Sequence, residues 1–167
     1  MSNAPLTLEA LAAILPAKAR LIGVDLGTKT IGLALSDVER RIATPLLTVS
    51  RTQFSADARA LSEQIRKFEA FGLILGLPLN MDGGEGPRVQ ATRAFARNFG
   101  QRDATPIAFW DERFSTAAVN RALIANDVSR ARRAEVVDKM AAAYILQGAL
   151  DRLAGIAAAG ALSTTKS

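Results

Sequence analysis

The 167-residue chain contains neither cysteine nor histidine. Without cysteine there is no disulfide framework and no thiolate zinc site. Without histidine there is no Ser-His-Asp or Cys-His machinery and no imidazole-held metal. An enzyme made of these residues works through carboxylates, Lys, Ser/Thr or Tyr. Any metal it uses is bound through oxygen, which favours hard cations such as magnesium or manganese. Aromatics are scarce, at 5%, and fall mostly at core spacing, so no stacking platform for single strands stands out. No apolar run reaches the roughly 18 residues of a bilayer span, and no membrane association is expected. Apolar Leu11–Leu15 precedes a cleavage-like Ala17-Lys18-Ala19, but the first ten residues carry no Lys or Arg and do carry Glu9. That pattern argues against a secretory signal and for a cytoplasmic protein.

What is present is the composition of one globular domain, with 49% apolar and 22% charged residues. Lys and Arg number 21 against 16 Asp and Glu, a formal charge of +5. A basic balance favours polyanionic partners, though by itself it is a weak signal.

Leu8, Leu11, Ala12 and Leu15 sit at helical spacing, giving a short helix that ends near Pro16 within an N-terminal extension, 1–19. Leu21–Leu26 reads as a buried strand, Gly27-Thr28-Lys29 as a turn, Thr30–Ser36 as a second strand and Ile42–Ser50 as a third, an antiparallel meander. Phe54, Ala58, Leu61, Ile65 and Phe68 then switch the period to that of a helix over 54–70, stopped by Gly72. Leu73–Leu77 is an apolar strand, followed by a Gly/Pro-rich loop from Pro78 to Pro87, a helix over 87–100 and a strand over Pro106–Trp110. Ser115 and Thr116 cap a helix reaching Ala125, Asp127–Arg133 reads as a polar loop, and Glu135–Leu153 as a long helix. The order predicts an α/β fold over 20–155: a five-stranded mixed sheet, meander first and parallel strands after, flanked by helices. Residues 156–167 read as a flexible tail. Ligands of such sheets gather at the carboxyl ends of the strands.

Three acids draw notice. Asp25 interrupts an apolar strand, where a carboxylate is expensive to bury without a metal, a base or a cluster of donors. The alternative is a cap on the turn at Gly27. Glu112 follows the fifth strand, which aims it at the crevice, although Asp111 and Arg113 beside it could simply form surface ion pairs. Asp138 falls in the first turn of the expected last helix, where the helix dipole alone would favour an acid. The small Ala141 and Ala142 one turn on would let that helix approach the first strand. Brought together, three carboxylates repel, and two divalent cations about 3.5–4 Å apart would relieve the repulsion and serve phosphodiester cleavage.

The segment Gly23-Val24-Asp25-Leu26-Gly27-Thr28-Lys29-Thr30-Ile31-Gly32-Leu33-Ala34 resembles the first strand pair of the YqgF family, proteins described as pre-16S rRNA nucleases and, earlier, as Holliday junction resolvases related to RuvC. Three further segments match in order: Gly76-Leu77-Pro78-Leu79-Asn80 with Asp82–Gly86, Asp111–Thr116, and Val137–Ala142 with Ile145-Leu146-Gln147. Lys29-Thr30 stands where Arg and a β-branched residue are common, and Phe114 where Leu is common. The resemblance implies a ribonuclease H-like fold, an acidic triad of Asp25, Glu112 and Asp138 as catalytic and metal-holding residues, and magnesium or manganese as cofactor. It also implies nucleic acid as partner: structured RNA or branched DNA, in the context of the ribosome or its precursor, with the protein a monomer or homodimer.

Candidate nucleic-acid contacts are Lys29 in the first turn, Asn80 in a loop whose N–H groups could cradle a phosphate, Arg113, Ser115 and Thr116 at a helix start, and the cluster Arg130, Arg132 and Arg133. Each has a plainer alternative as a solvated turn, a cap or a basic loop. Three further functions stand beside rRNA processing. They are a junction resolvase, a nucleotide-binding domain of the actin and sugar-kinase kind suggested by Asp25–Thr30, and a non-catalytic nucleic-acid-binding assembly or transcription factor.

Overall fold

A computed structural model describes residues 3–114 and 130–165, with side chains after the gap described from Val136 onward. The element order is α1 (Leu8–Ile14), β1 (Arg20–Leu26), β2 (Thr30–Ser36), β3 (Ala43–Ser50), α2 (Phe54–Phe68), β4 (Ala70–Leu77), α3 (Pro87–Gly100), β5 (Ile107–Asp111), a 3-10 turn (Glu112–Phe114) and α4 (Arg130–Thr165). The sheet order is β3-β2-β1-β4-β5. β1, β2 and β3 pair antiparallel, whereas β1–β4 and β4–β5 pair parallel. The expected mixed sheet is therefore present, and β1, β4 and β5 all end at the same edge.

The pleat sorts the side chains into two cores, because successive residues of a strand point to opposite faces. Ile22, Val24, Leu33, Leu73, Leu75 and Ile107 pack with α2 and α3. Leu21, Ala34, Ile74, Ala108 and Trp110 pack with α1 and α4. The N-terminal segment belongs to this second core: Leu8 and Leu11 are buried in it, and the Leu6 N–H donates to the Ile107 carbonyl at 2.7 Å, beside a bridge to Ala108.

Several boundaries differ from expectation. α2 ends at Phe68, with Glu69 in the left-handed region at φ 52°. Gly72 is not its stop but lies inside β4, its missing side chain leaving room for Leu11 and the Pro106 carbonyl. β4 can begin at Ala70 because its pairing with β1, non-local in sequence, overrides the local glycine signal. α4 begins at Arg130 rather than Glu135, so Arg130, Arg132 and Arg133 fall in its first turn and not in a preceding loop. Ala and Arg are both strong helix formers, which explains the earlier start.

At its other end α4 continues past the expected end at Leu153 to Thr165 through a largely exposed Ala/Gly-rich stretch, so 156–165 is helical rather than the expected flexible tail, because alanine is the strongest helix former. Val136–Thr165 meets the length and hydropathy of a bilayer span. Its first part serves the core, with Val137, Ile145, Leu146, Leu150 and Leu153 buried against the protein's own elements, whereas the stretch beyond Leu153 is largely exposed.

A candidate active site at the carboxyl edge of the sheet

Residues 21, 23 and 25 of β1 share one face, and Leu21 identifies that face as the one under α4. Asp25 therefore lies on the α4 side, opposite Gly32 of β2. Even-numbered residues of β5 face the same way, with Ala108 and Trp110 in the α4 core. Glu112 continues that alternation one residue past the strand. Both acids are buried, Asp25 2% exposed and Glu112 5%. Asp111 has the opposite parity, and its carboxylate is taken by Arg113, whose Nη2 approaches Oδ2 to 2.6 Å while its backbone N–H donates to Oδ1 at 3.0 Å. Those hydrogen bonds hold Asp111 below the ordinary carboxylate value. Of the adjacent acids, Glu112 is the one turned inward, and the charge of Arg113 is matched locally.

Asp138 arrives from α4. It is the ninth residue of that helix, not a first-turn residue, so the helix dipole does not account for it. Tertiary packing does. A Cβ on Gly32 would stand 2.1 Å from the Asp138 carbonyl oxygen, and one on Gly23 would stand 2.7 Å from that of Ala142 and 2.6 Å from Leu146 Cβ. Only strands bare at these two positions let the helix lie this close. The buried Ala141 and Ala142 contribute from the helix side, as their small size suggested. At the far edge Gln147 fixes the helix: its Oε1 accepts from the Ala43 N–H at 2.9 Å and its Nε2 donates to the Arg41 carbonyl at 3.0 Å. Asp138 Oδ2 then accepts a hydrogen bond from Thr30 at the start of β2.

Glycines abut two of the carboxylates in tight packing. The Cβ that Gly27 lacks would stand 3.1 Å from Asp138 Oδ2 and 2.7 Å from the Thr30 carbonyl oxygen, and the one Gly76 lacks would stand 3.2 Å from Glu112 Oε2 and 2.5 Å from Ile145 Cδ1. Three oxygen-only donors suit a hard divalent cation. Among the described residues, no three acids already stand together as a metal-holding group. The donor chemistry fits such an ion; a finished coordination shell is not preformed.

Other candidates are distributed around this edge. Lys29 is exposed in the β1–β2 turn, with its carbonyl bonded to the Arg51 N–H at 2.9 Å. Asn80 is exposed, but the loop's N–H groups are largely turned inward: Asn80 N–H donates to the Gly84 carbonyl, Gly83 N–H to the Asn80 carbonyl and Gly84 N–H to Asp82 Oδ1. Those three are occupied and do not form the expected open cradle. Ser115 and Thr116 lie outside the described residues, as do the side chains of Arg130, Arg132 and Arg133. Two participants escaped the sequence reading. Thr30 carried a weak signal, a hydroxyl opening the strand beside the acid's own. Arg88 carried none beyond its place on a helix; its Nη2 lies 3.9 Å from Asp25 Oδ1 and 3.4 Å from the Leu26 carbonyl.

Residues 19–152 match the model of a family described as RuvX, Holliday junction resolvase. The chain belongs to the RuvX family. A relative from Methylocella silvestris is 70% identical over 83% of this chain and 86% of its own length, and one from Rhodopseudomonas palustris strain BisB5 is 61% identical over 87% and 91%. Each bears the name "Putative pre-16S rRNA nuclease". Nuclease action is what the RuvX description and these names have in common. Among solved structures, T. thermophilus RuvC in complex with Holliday junction substrate superposes with a TM-score of 0.50 at 11% identity, over 81% of this chain and 96% of that one. A second T. thermophilus RuvC structure gives 0.50 at 12%, over 82% and 97%. At such identity the likeness is one of fold, and the RuvX chain has the ribonuclease H-like architecture of those neighbours.

Proposed function

We propose that this RuvX protein is a cytoplasmic, metal-dependent nuclease that trims the 5′ end of pre-16S rRNA, with Asp25, Glu112 and Asp138 holding magnesium or manganese. The observation that supports the reading is the placement of two buried carboxylates of matching parity at the ends of β1 and β5, with Asp138 carried on a helix seated on Gly32, the residue opposite Asp25. When bound, such cations supply Lewis-acid polarisation of the scissile phosphate and a more acidic attacking water, in the two-metal manner. The protein's part is placement. Thr30 orients Asp138, and the pairing of Asp111 with Arg113 leaves Glu112 as the inward acid. Lys29, Asn80 and Arg113 flank the edge as candidate backbone contacts. With Arg130, Arg132 and Arg133, which sit in the first turn of α4, they belong to the proposal for RNA binding.

The substrate rests on the names of the relatives. A junction-resolving reading keeps a specific support, the family's own description as a Holliday junction resolvase. One experiment separates them: an rRNA precursor fragment with its 5′ leader and a four-way DNA junction, each incubated with magnesium, manganese or EDTA, for wild type and Asp25→Asn. Metal-dependent cleavage of the RNA that disappears in the variant is the expected result. Preferential cleavage of the junction would transfer the assignment to DNA resolution. Undiminished cleavage by Asp25→Asn would remove the acidic site from the mechanism.

A further inference from the structure

Arg88 occupies a position that local physics disfavours. It sits directly after Pro87 in the first turn of α3, a turn with no acidic residue. A cation there opposes the helix dipole. Its side chain leaves the α3 face and reaches around the end of β1, where Nη2 meets the Leu26 carbonyl at 3.4 Å and Asp25 Oδ1 at 3.9 Å. It remains 43% exposed, whereas the Asp25 side chain is 3% exposed. An inward carboxylate thus touches a cation whose other side opens to solvent at the same edge where a nucleic-acid backbone would lie.

We infer that Arg88 is an exchangeable counter-ion: it neutralises Asp25 in the metal-free protein and, once a divalent cation holds that carboxylate, turns its guanidinium to a non-bridging oxygen of the bound phosphodiester. This rests on the proposed metal site. A guanidinium is always charged and presents a planar fork suited to carboxylate and phosphate alike, so the same group can serve both partners. The exchange would also couple the two ligands. Metal entry must displace a resident cation, and the displaced cation is then available to the nucleic acid, so metal favours substrate binding and substrate favours metal.

The test uses the full chain in four forms: wild type, Arg88→Gln, Arg88→Lys and Asp25→Asn. Manganese affinity is measured by calorimetry without nucleic acid, and affinity for a labelled RNA hairpin is measured in calcium across a salt series. The expected result for Arg88→Gln is manganese binding roughly tenfold tighter, since its competitor is gone. Its RNA binding should be about tenfold weaker, with the log–log salt slope shallower by about one. Arg88→Lys should keep near-wild-type manganese affinity and recover part of the RNA binding. Arg88→Gln that matches wild type in either manganese affinity or salt slope overturns the exchange. Asp25→Asn separates the two levels of the argument. If Asp25→Asn loses manganese while Arg88→Gln behaves as wild type, only the role of Arg88 fails. If wild type binds no manganese, or Asp25→Asn binds it equally well, the metal site fails and the exchange with it.

Discussion

Replacing Gly32 by alanine tests how the site is assembled. The added Cβ would stand 2.1 Å from the carbonyl oxygen of Asp138, 2.2 Å from its carbonyl carbon and 2.7 Å from the Lys139 nitrogen. All three are backbone atoms of α4, so no side chain can rotate away. The first of these lies more than an ångström inside ordinary van der Waals contact, and the helix itself must lift from β2 by about that amount. Overpacking of this kind costs about 1–3 kcal/mol, and the backbone clash points to the upper end. Alanine recovers only about 0.5–1 kcal/mol of strand propensity. For a chain of this size the net loss lowers the melting temperature by roughly 3–10 °C. The functional loss should be larger in proportion. Asp138 moves with the helix while Asp25 stays on β1, and a misplacement of about 1 Å can cost about a hundredfold in rate. The assay pairs thermal melting with metal-dependent cleavage, using Gly155→Ala as control because nothing lies within 4 Å of the position its Cβ would take. That control should be neutral or gain up to about 1 kcal/mol. A Gly32→Ala protein with wild-type melting temperature and wild-type activity would refute the idea that helix-on-glycine contact positions the third acid.

Thr30→Val keeps the β-branched shape but removes the donor to Asp138; cleavage should fall about tenfold with a stability change of about 1 kcal/mol, and an unchanged rate would release Thr30 from its positioning role. Gln147→Ala strips partners from the Ala43 N–H and the Arg41 carbonyl, and should cost about 1–2 kcal/mol in denaturant melts. For pH, Asp111 is held below 3.8 by the Arg113 side chain. Asp103 is also held below 3.8: burial would raise it, but the hydrogen bonds of Thr105 and Ser62 outweigh that. A carboxylate lowered on folding stabilises fully above its unfolded pKa and loses that contribution as pH falls through the folded value. Melting temperature should therefore begin to drop as pH falls through about 4, and Asp111→Asn should make the drop shallower. An equally steep drop in that variant would remove the ion pair from the account.

Much of the architecture could be read locally. The spacing of Phe54, Ala58, Leu61, Ile65 and Phe68 predicts α2, and the alternation from Thr30 to Ser36 predicts β2, because each element must show an apolar face at its own period. The three candidate acids could also be picked out, Asp25 as a charge in an apolar strand and all three as members of matching motifs. Boundaries were less so. Gly72 looks like a stop signal, and only its pairing partner across the sheet makes it part of a strand. Asp111 and Glu112 are chemically equivalent neighbours in the sequence. The parity of β5 and the guanidinium of Arg113 decide which one turns inward.

The sequence by itself thus determined most of the elements, the family and the choice of candidate acids, since periodicity, turn chemistry and motif are written in consecutive residues. Tertiary structure alone decided how closely α4 lies on Gly23 and Gly32, which hydroxyl orients Asp138, and that Arg88 stands against Asp25. Those contacts join residues 60 to more than 100 positions apart. Their distances follow from how the sheet and helices pack, and packing is a property of the assembled chain rather than of any window within it.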